Sequence, residues 1–144
     1  MQTDRGSVHG RGHALEERLF HAAGVNVDLE LALFDADHGR PAAAAAEART
    51  EWGRRHSILV ADARGWALYK DGQARKALPF AQFATKLGYR NALLSYHRAM
   101  IELATGDRAA ARSDLRRALR TNPDFSILYA APARLTLARL EAKA

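Results

Sequence analysis

"GDRAAARSDLRRALRTNPDF" (residues 106–125) opens on a glycine, runs through alanine-spaced helix formers and closes at Asn122–Pro123. The same layout appears twice upstream, in "GRPAAAAAEA" (39–48) and "GQARKALPFA" (72–81). Gly39, Gly72 and Gly106 thus recur at intervals of 33 and 34 residues. Seven residues before each glycine stands a small residue: Ala32, Gly65 and Ala99. Five after comes alanine (Ala44, Ala77, Ala111), and nine after come Ala48, Ala81 and Leu115. Twelve after come Glu51, Ala84 and Ala118. Small residues at fixed offsets let two helices approach closely, and a glycine between them supplies a left-handed turn. A period close to 34, with a helix on each side of the glycine, predicts an array of helix–turn–helix repeats.

The remainder of the chain agrees. "ALEERLFHAA" (14–23) puts Leu15, Leu19 and Ala22 on one face and stops at Gly24. "DLELALFDAD" (28–37) starts at an N-capping Asp28 and halts at Gly39, and "PAAAAAEARTEW" opens on Pro41 and runs to about Arg54. Sustained strand-type alternation is missing, so the fold class is all-α. The 144 residues suffice for one domain. Residues 1–13, "MQTDRGSVHGRGH", have no periodicity and read as a disordered tail, which leaves 14–144 as the helical domain.

Composition narrows the function. Without cysteine, thiolate catalysis, disulfides and cysteine-bound zinc are excluded. No apolar run nears the roughly 20 residues that span a bilayer, and the N-terminus lacks a signal's apolar centre. A soluble cytoplasmic protein is expected, with no membrane contact. The net charge is +6 and the pI near 10.2, which raises nucleic acid as a partner. The basic residues are 18 Arg and 4 Lys, spread along an alanine-rich chain. That skew fits a GC-rich bacterial genome better than selection for phosphate, so nucleic acid is not the expected partner.

"GDRAAARSDLRRALRTNPDF" resembles the second half of a tetratricopeptide repeat (TPR), with Pro123 where that motif carries its proline. The resemblance covers about 26–57, 58–91 and 92–124, and 125–144 is similar to the terminal capping helix, over Pro132 to Ala142. The chain looks like the C-terminal repeat region of a bacterial TPR-containing protein. The resemblance implies a right-handed α-solenoid of about three helix pairs plus a cap. It also implies a protein or peptide partner held on a concave surface lined by the first helices. In the family's strict register, the large residues before the glycine fall on Ala61, Arg64 and Leu68, then on Ser95, Arg98 and Glu102. That register turns Asp62, Trp66, Tyr69, Tyr96 and Met100 into the groove, with Lys70 at its polar margin. A register shifted by one gives the stripes Leu29/Ala32/Leu33/Ala36, Asp62/Gly65/Trp66/Tyr69 and Tyr96/Ala99/Met100/Leu103. In that case most of the same side chains pack between repeats. The family's receptors for chaperone tails use groove asparagines, and the matching positions Leu33, Trp66 and Met100 supply none.

Polar chemistry is most concentrated in "DADHG", Asp35 to Gly39. Aligned with "YKDG" and "LATG", it is the turn of the first repeat, with His38 well placed near helix carbonyls. No catalytic residue, metal or cofactor is expected, and no small-molecule substrate is evident. His9, His13 and His21 could recruit a metal, but two of them lie in the tail, so adventitious or no binding is expected, and no phosphate-binding glycine loop or nucleophile elbow is present. Arg108, Arg112, Arg116 and Arg120 are spaced by four on one helix. They form an alternative basic face for nucleic acid or an acidic partner.

Overall fold

A computed structural model describes residues 27–144, and the tail and the helix expected over 14–23 lie outside the described residues. Seven helices follow one another and no strand occurs among the described residues. They are α1 (Val27–Asp37), α2 (Pro41–Arg54), α3 (Ile58–Lys70), α4 (Ala74–Thr85), α5 (Ala92–Thr105), α6 (Arg108–Thr121) and α7 (Ala130–Ala142).

Local chemistry sets these boundaries. The three repeat glycines adopt left-handed backbone, with φ of 80° at Gly39, 78° at Gly72 and 97° at Gly106. Each stands between the two helices of a pair, where a side chain would be strained. Ser57 Oγ accepts the Val60 N–H at 3.2 Å to start α3. Asn91 Oδ1 accepts those of Leu93 and Leu94 at 2.9 and 3.2 Å to start α5. Asp107 Oδ1 accepts the Ala110 N–H at 2.9 Å to start α6. These caps satisfy first-turn amides that have no partner within the helix.

Each helix packs on the next, and α1 also packs on α3 and α3 on α5. The second helices α2, α4 and α6 make no comparable contact with one another among the described residues. The repeat offsets are where helices meet. Ala32, Ala44, Ala48, Ala77, Ala81, Ala84, Ala99, Ala111, Leu115 and Ala118 are all buried, and so is Glu51, whose Oε1 accepts from Arg55 Nε at 2.6 Å. Gly65 shows why small residues are needed there. A Cβ at this site would stand 3.3 Å from Ala81 N and 3.3 Å from Phe80 Cβ, so α4 lies against the bare backbone of α3.

Beyond α6, residues 122–129 form an irregular segment that leads into α7, which packs on α6. Ala133 and Leu140 are buried, and Phe125, Tyr129 and Leu137 pack against the main core. Ile127, Leu128 and Leu135 are exposed.

Candidate interaction face

The row α1, α3 and α5 brings chemistry together. Asp37 ends α1, α3 presents Asp62, Trp66, Tyr69 and Lys70 along one side, and α5 adds Tyr96, His97 and Met100. Helical spacing of three, four and seven stacks such residues above one another. Trp66 Nε1 donates to Asp37 Oδ1 at 2.7 Å. The same oxygen accepts from the Tyr129 hydroxyl at 2.5 Å, a contact between the first described helix and the far end of the chain.

The rings form a continuous cluster. Tyr129 stacks on Tyr96 with centroids 5.0 Å apart and meets Trp66 edge-on at 5.4 Å. Phe125 reaches Tyr96 at 5.4 Å, and Tyr69 stacks on Trp66 at 4.9 Å. Lys70 Nζ lies 5.6 Å from the Trp66 ring and 5.9 Å from that of Tyr129, within cation–π range. Beneath them, His97 stacks on Trp66 at 4.0 Å, and its Nδ1 lies 2.9 and 3.0 Å from the two oxygens of Asp62. Burial pushes the Tyr69, Tyr96 and Tyr129 phenols up from their ordinary range. For Tyr129 the hydrogen bond to Asp37 adds to burial, which keeps the hydroxyl a neutral donor.

The expected groove residues therefore do come together, but not on an open surface. Trp66, Tyr96 and Asp62 are only 1%, 3% and 5% exposed. Tyr69 and Met100 are half-buried, and Lys70 is exposed at the rim. The shifted register describes this arrangement: Ala32, Ala36, Gly65, Trp66, Tyr96 and Ala99 are buried, and Leu29, Leu33, Tyr69, Met100 and Leu103 are half-buried. Sequence reasoning did not assign Asp37, Phe125 or Tyr129 to this face. A hint was available in two aromatics, Phe125 and Tyr129, on a segment rich in turn formers.

In "DADHG", expected as a turn, Asp35 to Asp37 are the last residues of α1 and only His38 and Gly39 form the turn. His38 Nδ1 lies 2.7 Å from the Phe34 carbonyl oxygen and its ring stacks on Phe34. Asp35 is buried with Arg40 Nη1 3.5 Å away. Asp37 instead holds Trp66 and Tyr129. Among the described residues no group of three His, Asp or Glu side chains is arranged to hold a metal ion. An Asp–His pair can act as a general base where the histidine faces a substrate. Here His97 is 1% exposed, and its Nε2 is enclosed without a hydrogen-bond partner among the described residues.

The arginine face of α6 is dispersed. Arg116 Nε donates to Glu141 Oε1 at 2.8 Å, Arg112 is half-buried, and Arg108 and Arg120 are exposed. A spacing of four drifts by about 40° per step, so Arg108 and Arg120 point about 120° apart. Arg120 joins Arg90, Arg117 and Tyr89 around a cleft of about 380 Å³. No helix among the described residues is long and apolar enough to cross a membrane.

No protein-family model matches the chain, and a search of curated proteins finds no match.

Proposed function

We propose that the chain is a TPR-type right-handed α-solenoid that serves as a protein–protein interaction module, a scaffold or adaptor without chemistry of its own. Its partner is a peptide-like segment that lays aromatic side chains along α1, α3 and α5. One observation carries this reading: the chain's own segment 122–129 already lies there, with Phe125 on Tyr96 and Tyr129 among Trp66, Tyr96, Lys70 and Asp37. The face accepts an irregular backbone by its aromatic anchors, which is how most binding energy is carried at interfaces. Contact between first helices without like contact between second helices supports curvature toward this side. A partner reaches the face by displacing the segment, or by extending along Lys70, Tyr69 and Met100 at its margin.

The test uses the segment itself as the probe. A fluorescent peptide of residues 122–129 is titrated against the full chain carrying Phe125→Ala and Tyr129→Ala. Saturable binding is expected, together with its loss when Asp37→Ala is added and weaker binding to the unaltered chain, whose own segment competes. A folded double variant that binds no peptide removes the reading's support. The alternative, nucleic acid or an acidic partner on the α6 arginines, retains its best footing in Arg120 with Arg90 and Arg117. A steep loss of binding with salt would favour it.

A further inference from the structure

Away from the aromatic cluster, a cleft of about 670 Å³ opens between α2, α3 and α4. Arg49 comes from α2, Arg64 and Leu68 from α3, and Lys76 and Phe80 from α4, and among the described residues no carboxylate lines it. Several other arginines meet acids: Arg55 with Glu51, Arg98 with Glu102 and Asp114, Arg116 with Glu141, Arg117 with Asp114. Arg49 and Arg64 make no such pair among the described residues. Arg64 Nε is buried with no hydrogen-bond partner among the described residues, and its guanidinium carbon lies over the Phe80 ring, 4.6 Å from the centroid. Burial first, and then the neighbouring charge of Arg49, lower the affinity of Arg64 for its proton. Lys76 Nζ donates to Gln73 Oε1 at 2.9 Å, and the nearest acid on that path is Asp71, which accepts from Gln73 Nε2 at 2.7 Å. Two guanidinium groups facing one cleft, one with an enclosed and unsatisfied donor, are costly until an anion joins them.

We propose that this cleft binds the phosphate monoester group of an organic ligand, its dianion between Arg49, Arg64 and Lys76 and its apolar body on Phe80 and Leu68. A phosphate monoester concentrates a charge of about −1.5 to −2 and three acceptor oxygens in one group near pH 7. The planar guanidinium fork matches that geometry, and a single carboxylate offers half the charge. The cleft is also far larger than a bare phosphate fills, and beyond the cations and Gln73 its wall is Ala45, Ala46, Leu68 and Phe80. None of Asp37, Trp66 or Tyr129 takes part, so the assignment stands apart from the peptide-binding face.

Calorimetric titration of the full chain with phenyl phosphate, inorganic phosphate and benzoate tests it. Phenyl phosphate should bind one to one and at least about tenfold tighter than either control, since each control lacks the ring or the dianion. Arg49→Gln, at an exposed position that leaves the fold untouched, should weaken it by about tenfold, and Arg64→Lys, which keeps charge but loses the fork, by a similar factor. A variant with Arg90→Gln and Arg120→Gln should bind as the parent does. Equal binding of benzoate, or binding unchanged by Arg49→Gln, overturns the proposal, as does loss confined to the Arg90/Arg120 variant. A phosphotyrosine peptide separates the sources of the group: tighter binding than phenyl phosphate assigns it to a modified protein, and equal binding to a free organic phosphate.

Discussion

In α2, α4 and α6 most buried positions are alanine: Ala44 and Ala48, then Ala77, Ala81 and Ala84, then Ala111 and Ala118, beside Leu115 and the buried acids Glu51 and Asp114. In α3 and α5 the buried positions include Trp66, Tyr96, His97, Asp62 and Glu102. The two sets stand a few ångströms apart and obey different physics. The second helices hold their place by close approach, which depends on volume and tolerates little added bulk. The first helices hold theirs through large rings and polar pairs that must each be satisfied, which depends on orientation. The contrast teaches where the molecule can change. A close-packed alanine ridge fixes the helix spacing, whereas the aromatic cluster depends on each ring and donor keeping its partner.

The largest effect should come from the first set of helices. Trp66→Ala removes a buried indole that touches Tyr69, His97, Tyr96 and Tyr129, and it leaves Asp37 with one donor fewer. A loss of about 3–5 kcal/mol is expected from urea unfolding. A loss below 1 kcal/mol would mean that the cluster adds little to stability, and the contrast with the second helices would break. Next comes Ala111→Leu, at a wholly buried position of α6. Overpacking there should cost roughly 1–3 kcal/mol. An unchanged unfolding midpoint would show that α5 and α6 are not in the close contact that their alanines imply.

The alanine layer was legible in the sequence and the aromatic cluster was not. Ala44, Ala77 and Ala111 repeat at one offset from Gly39, Gly72 and Gly106, and a periodic signal needs no three-dimensional knowledge. The cluster has no period. Trp66 and Asp37 are 29 residues apart, His97 and Asp62 are 35 apart, and Tyr129 and Asp37 are 92 apart. Each pair forms only once the helices have stacked, and no short window contains both members. Asp37 illustrates the limit: its neighbours place it in a turn, and its partners come from two other elements. The choice of register for α3 and α5 failed to follow from the motif for a related reason. Family positions expected to be large hold Ala61 and Ser95, so which side faces inward depended on Trp66 and Tyr96 finding partners.

A polar site in α5 sharpens the comparison through pH. Glu102 is buried, and burial, reinforced by nearby Asp114, pushes its carboxyl up to about 7 from an ordinary 4.5, against the pull of Arg98. Arg98 Nε is shared, 2.7 Å from Glu102 and 3.2 Å from Asp114. Between pH 4.5 and 7 the folded chain keeps a proton that the unfolded chain releases. Stability from this group is therefore present at pH 4.5 and lost as pH rises through 7. Glu102→Gln should remove that slope, gaining about 2 kcal/mol at pH 8 and nothing at pH 4. Thermal melts of both chains across pH 4–8 check it. Parallel curves would show that Arg98 compensates the ionised pair fully.

The smallest effect separates fold from face. Tyr129→Phe keeps the ring that stacks on Tyr96 and meets Trp66, and it deletes only the hydroxyl on Asp37. Asp37 then retains the Trp66 N–H and is half-buried, so solvent can replace part of what is lost. The expected cost is about 1 kcal/mol, at the low end for a hydrogen bond to a charged group. Release of the segment should exceed that cost in its consequences. With the hydroxyl gone, 122–129 is held by ring contacts alone, and amide hydrogen exchange should quicken across these residues while α2, α4 and α6 exchange as before. Quickening confined to the segment marks it as a separable occupant of the α1/α3/α5 row, the behaviour a displaceable peptide mimic requires. Exchange that quickens equally in α6 and α7 would mean that the segment and the helices open together, and the face would then be part of the core.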